Sequence, residues 1–340
     1  MTPAIFGLSG PELTADERAF FREADPAGYI LFGRNCVDPG QLRALTDDLR
    51  SIHGRDRLLV SIDQEGGRVA RLRPPGWSPY PAGEAFDRLY ALAPASAIEA
   101  ARANATAMAL ELSAMGITVD YHPPLDLRVP GAHDVIGDRS LGSDPMQVAA
   151  LGRAILEGLA AGGVTGCIKH MPGHGRTTVD THKALPTVTA SAEELEADLA
   201  PFRSLAHAPI GMTGHLMFPV WDAENPATLS PTIIADVIRR QIGFDGLLLT
   251  DDIDMEALGG PIAERAARAQ AAGCDIVLNC WARMEDMAGI CQALSPMSEQ
   301  TAARVDRALA PTRVAPGIAP AHADLLAKRD ALLALEGQSA

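Results

Sequence analysis

Eight short apolar runs recur along the chain, and longer alanine-rich stretches with amphipathic spacing separate them. The runs are AIFG (from residue 4), GYILF (28–32), LLVSID (58–63), ITVDY (117–121), VTGCIKH (164–170), IGMTGH (210–215), GLLLTDD (246–252) and CDIVLN (274–279). Between them lie helix-like segments such as PGQLRALTDDLRSIH, ASAIEAARANATAMALELSAMG and PTIIADVIRRQIG. Near-continuous apolar strands alternating with helices predict a parallel sheet covered on its outer face. About eight such units is the count of a closed barrel. The expectation is therefore the α/β class, a TIM-type (β/α)8 barrel forming a single domain over 1–340 with C-terminal helices. An open, doubly wound sheet is the alternative, weakened because no G-x-G-x-x-G follows the first run. The proline-rich stretch 311–320 is expected to join the last helices.

The polar residues sharpen this picture. Asp63, Lys169, His170, His215, Asp251, Asp252 and Asn279 all fall at or just past the C-terminal end of a run. In a (β/α) barrel those ends share one face, where the active site lies. Convergence of titratable groups on that rim is a stronger signal than any single residue.

Composition adds exclusions. A hydrophobic fraction of 47% and a charged fraction of 21% over 340 residues are globular values. The formal net charge of -14 argues against a nucleic-acid partner, which needs a concentrated basic face. Apolar runs stop short of bilayer-spanning length, and the N-terminal segment does not resemble a secretory signal, so neither a membrane partner nor export is expected. The five cysteines (Cys36, Cys167, Cys274, Cys280 and Cys291) are scattered without paired metal-ligand spacing. That fits reduced thiols in a cytoplasm, with Cys167 and Cys274 as core fillers. No cofactor is expected, and the oligomeric state is not legible.

Four segments carry candidate chemistry. In Lys169–His182, KHMPGHGRTTVDTH, the residues Pro172, Gly173 and Gly175 rule out a regular helix and predict a long loop. Asp180 and His182, two apart, could meet in a sharp fold, the carboxylate orienting the imidazole as a general acid and base. A rival treats His170, His174 and His182, with Asp180, as ligands of a metal-dependent hydrolase. In TDDIDME, Asp251 should emerge at the barrel mouth, where a carboxylate can attack an anomeric carbon. Asp252 should bond backbone or neighbouring loops, and Asp254 and Glu256 should sit in the first turn of the next helix. In IDQEGGRVAR, Asp63 suits sugar hydroxyls, while Glu65 or Arg68 could form an ion pair fixing the loop. In VIGDRS, Arg139 is a hydrogen-bond donor.

Together these segments resemble glycoside hydrolase family three, in its single-barrel bacterial β-N-acetylglucosaminidase branch. The strings that carry the resemblance are LFGRNC at Leu31, IDQEGGRVARL at Ile62, VIGDRSLGSD at Val135, KHMPGHG with DTHKALP from Lys169 to Pro186, and GLLLTDDIDMEAL from Gly246. Met171 stands where Phe is common, and Thr250 and Asp254 where Ser is common; no reactive group is replaced. The resemblance implies Asp251 as nucleophile, His182 as acid/base assisted by Asp180, and Asp63, Arg71, Arg139, Lys169 and His170 as sugar-holding residues without a metal. It implies a small glycan substrate, GlcNAc-anhydroMurNAc with or without peptide, processed in cell-wall recycling. Alternatives are attack by the substrate's own acetamido oxygen, the metal-dependent hydrolase, and a sugar-binding protein without turnover.

Overall fold

The computed structural model describes residues 1–55, 57–177, 185–310 and 321–338. Its eight strands are β1 (Thr2–Gly7), β2 (Pro26–Leu31), β3 (Leu59–Ile62), β4 (Val119–Asp120), β5 (Thr165–Met171), β6 (Ile210–Thr213), β7 (Leu247–Asp252) and β8 (Ile276–Asn279). Each pairs in parallel with its sequence neighbours, and β8 returns to β1 through Phe6 opposite Asn279, closing the barrel. All eight expected strands are present in order. The fourth is shorter than the run ITVDY implies, because the Thr118 hydroxyl accepts the Val60 N–H (2.9 Å) in place of a backbone carbonyl.

Strand alternation divides the apolar residues into two layers. Inward positions such as Ile5, Ile30, Leu59, Val119, Cys167, Leu249 and Ile276 fill the barrel. Outward positions such as Phe6, Tyr29, Val60, Ile168 and Val277 pack under the helices. Those helices are α1 (Ala15–Ala24), α2 (Pro39–His53), α3 (Gly83–Leu92), α4 (Pro94–Ala114), α5 (Pro145–Ala161), α6 (Ala192–Ser204), a π-helix (Ile233–Ile242), α7 (Ile262–Ala272) and α8 (Met284–Ala293). Starts are marked by local chemistry: Thr14 and Ser191 form capping boxes with Glu17 and Glu194, and Asp38 and Asp144 cap helices that begin with proline.

Two further helices follow the barrel. In α9 (Glu299–Ala308), Ala308 joins the barrel-interior cluster, as does Leu309 just beyond it; Thr165 at the start of β5 donates its hydroxyl to Ala308 O (2.6 Å). This helix end thereby plugs the face opposite the candidate site. In α10 (His322–Leu333), buried Arg329 bonds Asn104 on α4 and Pro79 O. The connection 311–320 lies outside the described residues. Among the described residues no helix is long and apolar enough to cross a membrane.

Candidate active site

The C-terminal strand ends surround a cavity of about 490 Å³. Asp63, just past β3, lines it with Arg71 from the following loop and Arg139 from the turn after β4. Lys169 and His170 of β5 and Asp251 of β7 complete the set that the sequence singles out, so six of those eight side chains share one space. Asp180 and His182 lie outside the described residues.

The first wall is built by a chain reversal after β3. Gly66 and Gly67 have φ of 101° and 56°, and a Cβ at Gly66 would strike Pro81 O. The Gln64 side chain then staples the loop, accepting from Arg71 N and Leu72 N and donating to Leu72 O. Arg71 is thereby brought back over Asp63, with Nη2 donating to Oδ2 at 3.0 Å.

From there a continuous ionic chain crosses the floor. Lys169, only 2% exposed, donates Nζ to Asp63 Oδ1 (3.0 Å) and to Glu65 Oε1 (2.7 Å). Glu65 in turn accepts both prongs of Arg139, at 2.7 and 2.8 Å. Burial pushes the carboxyls of Asp63 and Glu65 upward, but the adjoining cations outweigh it and hold both below their ordinary range. Burial likewise works against the Lys169 ammonium, and Glu65 and Asp63 overcome it. Asp63, Glu65, Lys169 and Arg139 are therefore charged at neutral pH, with fixed donors and an ordered carboxylate at Asp63.

Asp251 faces this chain. Its Oδ1 accepts the Asp252 N–H at 2.8 Å. Burial raises its pKa, yet His170, His215 and that backbone donor bring it below the usual value, leaving an ionised carboxylate. Asp252 behaves oppositely: burial and the neighbouring Asp254 carboxylate push it up to about 8. The two adjacent acids thus hold different protonation states near neutrality, Asp251 ionised and Asp252 keeping its proton.

Asp254 and Glu256 do not open the next helix. The Gly259-Gly260-Pro261 sequence delays α7 to Ile262, and its N-cap has no side-chain bond. Asp254 instead accepts from Asn279 Nδ2 (2.9 Å), Cys280 N (2.9 Å) and Trp281 N (3.1 Å), tying β7 to β8. His215 is structural as well: its ring nitrogens pair with the Thr228 hydroxyl and Asp252 O, both at 2.8 Å. Arg68 holds Asp138 and backbone carbonyls, while Glu65 forms the buried pairs.

Asp126, after β4, organises the beginning of the long loop and was not singled out by the sequence. It lies in PPLDL directly after an apolar run; a lone acid there is the signal that could have found it. Fully buried, it pairs with His170 Nδ1 and accepts the His174 N–H (2.7 Å). Burial, and secondarily His170, lower the His174 pKa to about 4, so that ring is neutral. Among the described residues no group of three or more His, Cys, Asp or Glu side chains is arranged to hold a metal.

A barrel whose C-terminal face presents an ionised acid beside a network of charged hydrogen-bonding groups has the chemistry of a glycoside hydrolase. Comparison with known proteins agrees. The family model described as glycosyl hydrolase family 3 N terminal domain matches residues 8–315, and the chain belongs to that family. It is 38% identical to a beta-hexosaminidase of Bordetella avium over 82% of this chain and 80% of that protein. A beta-hexosaminidase of Alkalilimnicola ehrlichii is 40% identical over the same shares. Among solved structures, NagZ from Neisseria gonorrhoeae in complex with N-trifluoroacetyl-D-glucosamine superposes with a TM-score of 0.86 at 33% identity, covering 98% of both chains.

Proposed function

We propose that the chain is a retaining exo-β-N-acetylglucosaminidase that removes N-acetylglucosamine from anhydro-muropeptides in cell-wall recycling. Its substrate is the GlcNAc-anhydroMurNAc unit, with or without peptide, and it acts in the cytoplasm as one catalytic domain, 1–340. The observation that carries the reading is Asp251: an acid kept ionised in a cavity whose other walls are Asp63, Arg71, Arg139, Lys169 and His170. The beta-hexosaminidase relatives and the N-acyl glucosamine bound to the Neisseria gonorrhoeae protein support the choice of sugar. The five unpaired cysteines support a reducing compartment.

In this reading Asp251 attacks the anomeric carbon as the bond to the leaving oxygen breaks. The protonated His182, oriented by Asp180, gives that oxygen its proton. The neutral imidazole then takes a proton from water, whose oxygen displaces Asp251 and restores the free acid and base. Asp63, Arg71, Arg139, Lys169 and His170 hold the sugar.

The test compares wild type, Asp251→Ala and His182→Ala on an aryl N-acetylglucosaminide and on GlcNAc-anhydroMurNAc, with chelator present. Asp251→Ala is expected to lose on the order of 10⁴-fold or more on both. His182→Ala is expected to lose roughly 10²–10⁴-fold on the natural substrate and much less on the activated one. Equal losses would remove His182 from the acid role; activity abolished by chelation would transfer the reading to a metal-dependent hydrolase.

A further inference from the structure

Beyond the residues already assigned, the cavity is lined by His133 and Asp134, in the segment between β4 and the turn Gly137–Arg139. Both are exposed, whereas Lys169 and His170 at the floor are 2% and 6% exposed. The segment is fastened on two sides. His133 N donates to Thr177 O at 2.7 Å, and Arg68 Nη2 donates to the carbonyls of Asp134, Val135 and Ile136 at 2.7, 3.0 and 3.2 Å. Within it, His133 Nδ1 accepts the Val135 N–H at 3.1 Å. That bond assigns the tautomer: with Nδ1 used as an acceptor, the neutral ring carries its proton on Nε2 and offers an N–H donor.

An enzyme that removes a terminal sugar seats that sugar at the closed end of its pocket, so the exposed rim faces the leaving group. There His133 supplies a donor and the adjacent Asp134 carboxylate supplies an acceptor. A donor and an acceptor side by side match the two hydrogen-bonding edges of an amide. We propose that His133 and Asp134 form a leaving-group subsite that selects leaving sugars bearing an amide, either an N-acyl amino sugar or a peptidyl amide. Nε2–H of His133 meets the carbonyl, and Asp134 accepts the amide N–H. The proposal rests on the glycosidase reading above and adds to it the chemistry of the group that departs.

The test measures kcat and KM for wild type, His133→Ala and His133→Gln on four substrates. These are 4-nitrophenyl β-N-acetylglucosaminide, GlcNAc-β-1,4-GlcNAc, the same disaccharide with its leaving sugar deacetylated, and GlcNAc-anhydroMurNAc. His133→Ala is expected to lose about tenfold in kcat/KM on both amide-bearing disaccharides, mostly through KM, and no more than about twofold on the other two. His133→Gln, whose amide nitrogen can stand near the imidazole Nε2 position, should recover much of the loss. Equal losses on all four substrates, or none on any, would overturn the subsite. If wild type leaves GlcNAc-anhydroMurNAc intact while His133→Ala still loses selectively on GlcNAc-β-1,4-GlcNAc, the subsite stands and the muropeptide reading falls.

Discussion

Asp126 Oδ2 stands 2.7 Å from His170 Nδ1, and the other oxygen of the same carboxylate accepts the backbone N–H groups of His170 (3.3 Å) and His174 (2.7 Å). Burial raises the carboxyl, and the His170 ring, first among the opposing influences, brings it below the ordinary range. One ionised side chain therefore fixes the ring, the tautomer and the path of the chain leaving β5. The His170 Nε2 is left as the nitrogen available to the cavity, which His170 lines.

Asp126→Asn separates these tasks. The amide oxygen can still accept the two backbone N–H groups, but the amide N–H now faces His170 Nδ1 and forces that nitrogen to become an acceptor. The expected outcome is a folded protein with kcat/KM lower by roughly 10–100-fold, in the range of lost orienting partners behind functional histidines. Unchanged kinetics would show that the His170 tautomer does not matter to the reaction. Far-UV circular dichroism and the melting temperature check that the fold is retained.

Lys169 is the hinge of the ionic chain, with two carboxylates on one buried ammonium. Lys169→Met keeps a flexible side chain of similar reach but leaves Asp63 and Glu65 facing one another without their shared cation. Breaking a buried pair in this way costs about 3–5 kcal/mol, whereas losing a surface pair costs less than about 1 kcal/mol. Chemical denaturation of wild type and variant measures the difference. A loss below about 1 kcal/mol would mean that water reaches and screens the two acids.

The eight strands were legible because a barrel strand is buried on both faces and so reads as an unbroken apolar run. The gathering of Asp63, Lys169, His170 and Asp251 was legible for a related reason: parallel strands bring all their C-terminal residues to one rim. Which groups touch was not. Glu65 and Arg139 come from two separate connections and Lys169 from strand β5, and local periodicity carries no information on side chains that meet across 74 residues, as Glu65 and Arg139 do. Asp254 shows the opposite failure. Its acidic neighbourhood suggests a helix start, yet the Gly-Gly-Pro sequence that postpones that helix was present and outweighs it. Asp126 was not legible because β4 ends after two residues and the chain beyond it has no regular period.

Asp252 supplies a test by pH. Its carboxyl is pushed from an ordinary 3.8 up to about 8, by burial first and the Asp254 carboxylate second. A group whose pKa is raised by folding binds its proton more tightly in the folded state. The stability linked to it is fully present below the unfolded pKa and disappears as pH rises through the folded one. The window from pH 7 to 9 isolates the last part of that loss. Asp63, Glu65, Asp126 and Asp251 are held low and stay ionised throughout, and His174, lowered to about 4, stays neutral. Asp252→Asn keeps an oxygen that can accept from Asp254 N and Cys280 N, as Oδ1 does now at 3.1 and 3.3 Å, but it cannot ionise. Wild type should therefore lose stability relative to the variant across this window. The loss is at most about 1.4 kcal/mol, most of it below pH 8, and smaller where water enters the cavity. Parallel melting curves for the two proteins from pH 7 to 9 would show that Asp252 does not release a proton in this window.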